Sequence, residues 1–251
     1  MKRPHVIVEG DYAAMSRRAA TLLDAAVREH PRIVLALPTG ATPVGTYAAL
    51  VDLHRHTGTD WSQATTFNLD EYAGVAPDHP ESYAAFMQAH LFSGVNLSSD
   101  RRRLPDGLAT DPDEEAARYE AAIDVAGGID LAVLGIGTNG HIGFNEPGDA
   151  LTGPTHVAEL ADVTWRRNFP HLAEAAGADP VAGQRFRRAY TMGLGTILQA
   201  RRILLLASGA EKRAILGQAI HGPITPRNPA SFLQLHRDVT LLLDAAAVGE
   251  T

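Results

Sequence analysis

The chain has 251 residues, 45% of them hydrophobic, enough to bury a sizeable core and to argue against disorder. Its net charge is −7, from 22 basic and 29 acidic residues, which argues against nucleic acid or an anionic membrane as the main partner. There is no cysteine, which excludes disulfides, a thiol nucleophile and cysteine-bound zinc.

The opening stretch "MKRPHVIVEGDY" has too short an apolar run for a signal peptide, and no segment approaches the ~20 apolar residues of a membrane helix. A cytoplasmic protein is therefore expected. "HVIV" (5–8) reads as a strand, and residues 11–29 as a helix with Leu22, Leu23, Ala26 and Val27 on one face. "RIVLALP" (32–38) is an uninterrupted apolar run, the pattern of a strand covered on both faces of a parallel sheet. Behind it, Thr42 is expected to cap a helix with Pro43 at its first position. "ATTFNL" is a third strand, ending at Asp70 and Glu71. Pro80 can open a helix to about residue 91, and residues 112–126 form another with an acidic first turn. "IDLAVLGIG", "RRILLLAS" and "VTLLLD" are further strands, with a helix between the last two from about Glu211 to Ile220. Strands alternating with helices imply an α/β fold with a doubly wound, mainly parallel sheet flanked by helices, a Rossmann-like three-layer arrangement. Residues 148–190 break the rhythm with Gly, Pro and Ala-rich stretches. The expectation is one domain over 1–251 with an inserted flap, a lid, at about 148–190.

Ligands bind outside the carboxyl ends of parallel strands, and three polar clusters fall there. In the first, Thr39, Gly40, Ala41 and Thr42 lie between a buried strand and a helix N-terminus, where backbone N–H groups and the helix dipole can hold an anion. The same residues would also make a capped βα turn and nothing more. No G-x-x-x-x-G-K-[ST] loop is present. Lys212 stands at the start of the later helix, where a lysine opposes the dipole unless an anion sits between them. In the second, adjacent Asp70 and Glu71 must point to opposite faces of an extended segment, so only one can enter the cleft. A partly desolvated carboxylate there suits removal of a proton beside a carbonyl, although two solvated loop acids would read the same way.

The third cluster, "GIGTNGHIGFNEPG", contains Gly135, Gly137 and Gly140 in the G-x-G-x-x-G spacing of dinucleotide-binding turns. Such a turn must lead directly into a helix, whereas here Gly140 leads into His141 to Gly148, with another glycine and a Pro-Gly turn. The glycines are better read as bends that present Asn139, His141 and Glu146. A histidine beside a carboxylate can hold one tautomer and act in acid–base chemistry. HExxH is absent and the eleven histidines are scattered, so no metal site is expected.

Together "LPTGATPVGTY", "FNLDEYAGVAPDHPESY", "GIGTNGHIGFNEPG" and "SFLQLH" resemble the glucosamine-6-phosphate deaminase/isomerase family, in order over about residues 33–238. The related 6-phosphogluconolactonases usually show Asp-Glu-Arg where this chain has Asp70-Glu71-Tyr72. The resemblance implies conversion of glucosamine 6-phosphate to fructose 6-phosphate and ammonia, with no organic cofactor. It implies a hexosamine 6-phosphate as partner and leaves a homo-oligomer open. In that family's terms Asp70 is the base between C2 and C1, His141 the group that opens the pyranose, and Glu146 the carboxylate that orients it. Asn139 stands where members carry Asp or Asn, and Thr39, Gly40, Ala41, Thr42 and Lys212 match the phosphate clamp. Ala41 replaces a second glycine of that turn. The flap departs further: "TWRRNFPHL" has lost the register of the family's "ANxRFF"-like stretch, whose Arg grips phosphate, so Arg166 and Arg167 are left out of the expected site. The basic residues of an allosteric site found in some members are missing near His156 to Glu159, which speaks against activation by N-acetylglucosamine 6-phosphate. Alternatives on the same fold are a 6-phosphogluconolactonase, another phosphosugar isomerase, or a non-catalytic phosphosugar-binding regulator.

Overall fold

The computed structural model describes residues 4–171 and 186–249. Seven parallel strands form its main sheet, in the order β1 (His5–Glu9), β10 (Val239–Asp244), β9 (Arg202–Ala207), β6 (Leu131–Leu134), β2 (Val34–Leu37), β3 (Thr65–Asn68) and β5 (Arg102–Arg103). The uninterrupted apolar runs have a simple cause. Side chains alternate faces along a strand, and both faces here are covered. Val34 and Ala36 of β2, with Ile203 and Leu205 of β9, join one core, while Leu35, Leu37, Leu204 and Leu206 join the other.

Helices α1 (Tyr12–Glu29) and α2 (Ala41–Thr57) cover the second core, with Met15, Leu23, Tyr47 and Leu50 buried in it. Helix α4 (Pro112–Val125) and helix α7 (Arg213–His221) cover the first, through Tyr119, Ile123, Ile215 and Leu216. Asp11 caps α1 by accepting from Ala14 N at 2.7 Å, and Asp111 caps α4 ahead of Pro112. Among the described residues no helix is long and apolar enough to cross a membrane.

Three expectations change. Thr42 does not cap α2: the helix opens at Ala41 behind Gly40, whose φ of 92° turns the chain and offers no side chain as a cap. Pro80 does not open a helix. Ser82 caps α3 (Tyr83–Met87) by accepting from Ala85 N at 3.0 Å, and the chain continues through a π-helical turn over Gln88–Phe92. Nor does the third strand end the sheet structure at Asp70. The chain bends at Leu69 and runs on as β4 (Asp70–Tyr72), in a small antiparallel sheet with β8 (Arg188–Thr191) and β7 (His156–Glu159).

The segment 148–190 therefore carries β7, helix α5 (Asp162–Asn168) and part of β8, and its residues 172–185 lie outside those described. Its base is anchored to the core. Glu120 of α4 accepts from Thr155 N at 2.6 Å and from Thr196 Oγ1 at 2.8 Å, the latter on helix α6 (Leu194–Leu198).

Gly193, just before α6, is a stringent test of this packing. A Cβ there would lie 2.0 Å from Pro154 O and 2.2 Å from Gly153 O, both backbone atoms. Gly193→Ala should cost about 1–3 kcal/mol in urea denaturation, as overpacking does. Gly217→Ala, inside α7 with open space around it, should instead gain about 0.5–1 kcal/mol.

Candidate active site

Strands β2 and β6 are neighbours in the sheet, but the chain leaves their carboxyl ends in different directions. That divergence opens a crevice, the usual ligand position in an open α/β sheet. The turn after β2, the end of β3, the loop after β6, helix α5 and Lys212 all line one pocket there.

The floor is set by the bend after β3. Asp70 faces the pocket with only 6% of its surface exposed, and its Oδ1 is buried without a hydrogen-bond partner. Burial pushes its carboxyl up to about 8, and the nearby Glu71 carboxylate adds to the rise. Glu71 points the other way, as strand alternation requires. Its oxygens accept from Tyr72 N at 2.8 Å and from Tyr83 N and Ala84 N at 2.9 Å each. Burial raises Glu71 as well, against those three backbone donors. One carboxylate thus pins the start of α3 while its neighbour stays bare in the cleft.

The loop after β6 forms one wall. Gly137 N donates to His141 O at 2.9 Å and Gly140 N to Gly137 O at 3.0 Å, so the chain doubles back without entering a helix. The glycines are needed where they stand. A Cβ on Gly137 would lie 2.3 Å from the His141 ring, and Gly140 has φ 93° with Asn228 Oδ1 2.3 Å from where its Cβ would be. The fold back brings Asn139, His141 and Glu146 together. Asn139 Nδ2 donates to Glu146 Oε2 at 2.8 Å, His141 Nδ1 stands 3.5 Å from the same oxygen, and His141 N donates to Asn139 Oδ1 at 3.2 Å. Burial works to raise Glu146, but hydrogen bonding and charge from His141, with Thr164 and Asn139, hold it below its ordinary value.

Another part of the pocket has the features that favour an anion. Thr39, Gly40, Ala41 and Thr42 line it at the uncapped N-terminus of α2. Ala41 is helical rather than left-handed, so the loss of a glycine there costs nothing in backbone strain. Lys212 is 5% exposed and donates through Nζ to Ile136 O at 2.6 Å. Burial pulls its ammonium down to about 8, helped by the positive Arg167 and opposed by Glu211.

Arg167, left out of the expected site, lines the pocket and lies 3.8 Å from Glu211. Arg166 points elsewhere and pairs with Asp162 at 3.4 Å. The signal that distinguishes them is helical spacing. Thr164, Arg167 and Asn168 stand at i, i+3 and i+4 of α5, on one face, and all three line the pocket. Tyr83 is a further residue missed from sequence. It is a pocket residue whose hydroxyl meets Tyr72 OH at 2.9 Å, and Tyr72 OH in turn accepts from Asn168 Nδ2 at 3.1 Å. Among the described residues no cluster of three or more His, Asp or Glu is placed to hold a metal ion.

A carboxyl whose proton affinity rises on folding makes stability fall with pH, because the folded chain holds a proton that the unfolded chain releases. For Asp70 that window runs from its ordinary value of 3.8 to about 8. Asp70→Asn cannot ionise and should escape the loss. Above pH 8 its Tm should exceed that of the unsubstituted chain by about 2–4 °C for each kcal/mol recovered, with the gap closing toward pH 4. Equal melting curves at both pH values would contradict the burial of an isolated charge.

The family profile described as glucosamine-6-phosphate isomerases/6-phosphogluconolactonase matches residues 11–242. A glucosamine-6-phosphate deaminase of Thermoanaerobacter sp. (strain X514) is 43% identical over 97% of this chain and 94% of its own length. One from Bacillus velezensis is 44% identical, covering 98% of this chain and 99% of its own. A solved structure described as a monomeric glucosamine-6-phosphate deaminase superposes with a TM-score of 0.87 at 40% identity, covering 97% of this chain and 98% of that one. A 6-phosphogluconolactonase from Trypanosoma cruzi superposes with a TM-score of 0.78 at 21% identity, which is likeness of fold alone. Profile, relatives and pocket agree: the chain belongs to the glucosamine-6-phosphate isomerase/6-phosphogluconolactonase family.

Proposed function

We propose that this chain deaminates and isomerises glucosamine 6-phosphate, giving fructose 6-phosphate and ammonia. The observation that carries the reading is an unpaired, buried Asp70 sharing one pocket with the His141–Glu146 pair and with two cations, Arg167 and Lys212. The chemistry needs a proton donor for a ring oxygen, a base for a carbon acid, and a grip on phosphate remote from both.

The substrate phosphate would sit between the α2 N-terminus, Lys212 and Arg167, and its binding energy would orient the sugar. His141 protonates the ring oxygen as the bond to C1 breaks, and the anomeric hydroxyl gives up its proton to water, leaving an open aldehyde; Glu146 and Asn139 hold the imidazole in register. Asp70 then takes the proton from C2. The released electron pair forms the C1–C2 double bond, and the aldehyde oxygen gains a proton. Asp70 returns its proton to C1, leaving C2 as an iminium; water adds there, ammonia departs, and the ketone remains. A desolvated carboxyl with raised proton affinity is a stronger base than a solvated one once it has ionised.

The lactonase alternative shares the fold but would release no ammonia. A lid function for segment 148–190 is part of the same proposal, supported by the four residues of α5 that line the pocket.

Purified protein given glucosamine 6-phosphate should release ammonia and fructose 6-phosphate in equal amounts. No turnover with it or with the galacto epimer would end the proposal. Asp70→Asn should lower kcat by ~10²–10⁴-fold, as loss of a general base does. In kcat/KM the pH profile should be a narrow bell near pH 8. It rises as Asp70 loses its proton and falls as Lys212 loses its own. Lys212→Ala and Arg167→Ala should chiefly raise KM, with Lys212→Ala also flattening the alkaline limb.

A further inference from the structure

The direct contact between His141 Nδ1 and Glu146 Oε2 is 3.5 Å, longer than the 2.7–3.2 Å of a well-formed N–H···O bond. A second side chain meets the same ring nitrogen at a similar distance. Thr164 is 4% exposed, and its Oγ1 lies 3.4 Å from His141 Nδ1. The same hydroxyl is near enough to the Glu146 carboxylate to help hold it below its ordinary value. A hydroxyl can do both at once, accepting from a ring N–H while donating to a carboxylate. Buried helical threonines often return this hydroxyl to the carbonyl four residues back. Here it is turned toward the acid–base pair.

Its place in the chain adds to the case. Thr164 comes from α5, an element remote in sequence from the loop that carries His141, and Arg167 and Asn168 share its face of that helix. Asn168 is tied in turn to Tyr72 OH, so the helix is held at both ends of its pocket face.

We propose that Thr164 is a positioning residue for the His141–Glu146 pair, seated by the same rigid helix that brings Arg167 to the anion-binding part of the pocket. This rests on the deaminase reading. Its consequence is that gripping the phosphate and aligning the ring-opening acid are one mechanical event, because α5 cannot shift one side chain without the other.

The test compares Thr164→Val, which keeps the shape and removes the hydroxyl, with Thr164→Ser, which keeps the hydroxyl. With glucosamine 6-phosphate, Thr164→Val should lower kcat about tenfold, short of the ~100-fold or more that loss of the acid itself costs. KM should stay within about twofold, and Thr164→Ser should keep kcat within about threefold. In ligand-free protein the ¹⁵N shifts of the His141 ring should report a changed tautomer balance in Thr164→Val and not in Thr164→Ser. A valine variant with full kcat, a serine variant as slow as the valine one, or unaltered ring shifts in both would overturn the proposal. If the unsubstituted protein releases no ammonia, the deaminase reading falls, while the ring shifts still decide the seat of Thr164.

Discussion

The constraint on which the rest depends is a carboxyl group buried just past the end of β3 without a counter-charge. An ionised carboxylate is expensive to desolvate, and a fold that needs only stability would pair Asp70 or replace it. Instead the chain bends at Leu69, and β4 pairs with β8 so that Asp70 faces into the cleft. Glu71 is spent on the backbone of α3 rather than left to solvent. Its negative charge adds to the proton affinity of Asp70. Strain of this kind persists where the surroundings over-determine it, and here two sheets and a helix start do so.

Around that group the topology supplies the remaining parts at little extra cost. The crevice between β2 and β6 follows from the strand order, and the turn after each strand contributes a different chemistry. The turn after β2 leaves a helix N-terminus uncapped, which is a loss to α2 alone and a position that favours an anion. The loop after β6 doubles back because Gly137 and Gly140 leave room for it, and the space a side chain would fill is taken by His141 and Asn228. Lys212 is disfavoured as a cation by burial and by Arg167, a penalty that a bound dianion would reverse. Asp70 and Lys212 are thus both held away from their relaxed charge states by the same desolvated pocket.

Much of this is legible from residues alone, for physical reasons that differ from place to place. The opposite directions of Asp70 and Glu71 follow from strand alternation: Glu71 is bonded to the α3 backbone while Asp70 lines the pocket. The dinucleotide reading of Gly135, Gly137 and Gly140 fails because no helix follows, and none does. The α2 start was misread because Thr42-Pro43 looks like a cap and first-turn pair, whereas Gly40 makes the turn with a conformation that no side chain advertises. The α3 start was misread because its N–H groups are held by Glu71, twelve residues away in sequence from Tyr83. The antiparallel sheet of β4, β8 and β7 was invisible because its strands are three or four residues long and β4 pairs with β8 far along the chain, Asp70 facing Thr191. Arg167 is left out of the expected site because the flap has lost the family's register, and its place on the pocket face of α5 follows from a helix that loop-like sequence hides.

The most direct measurement follows a single hydrogen. Glucosamine 6-phosphate labelled with deuterium at C2 is turned over by the purified protein, and the fructose 6-phosphate formed is examined by NMR. If one buried carboxyl carries the proton from C2 to C1, part of the deuterium appears at C1 of the product. The account would be contradicted by product that carries its label nowhere but in solvent, or by Asp70→Asn protein that still transfers it.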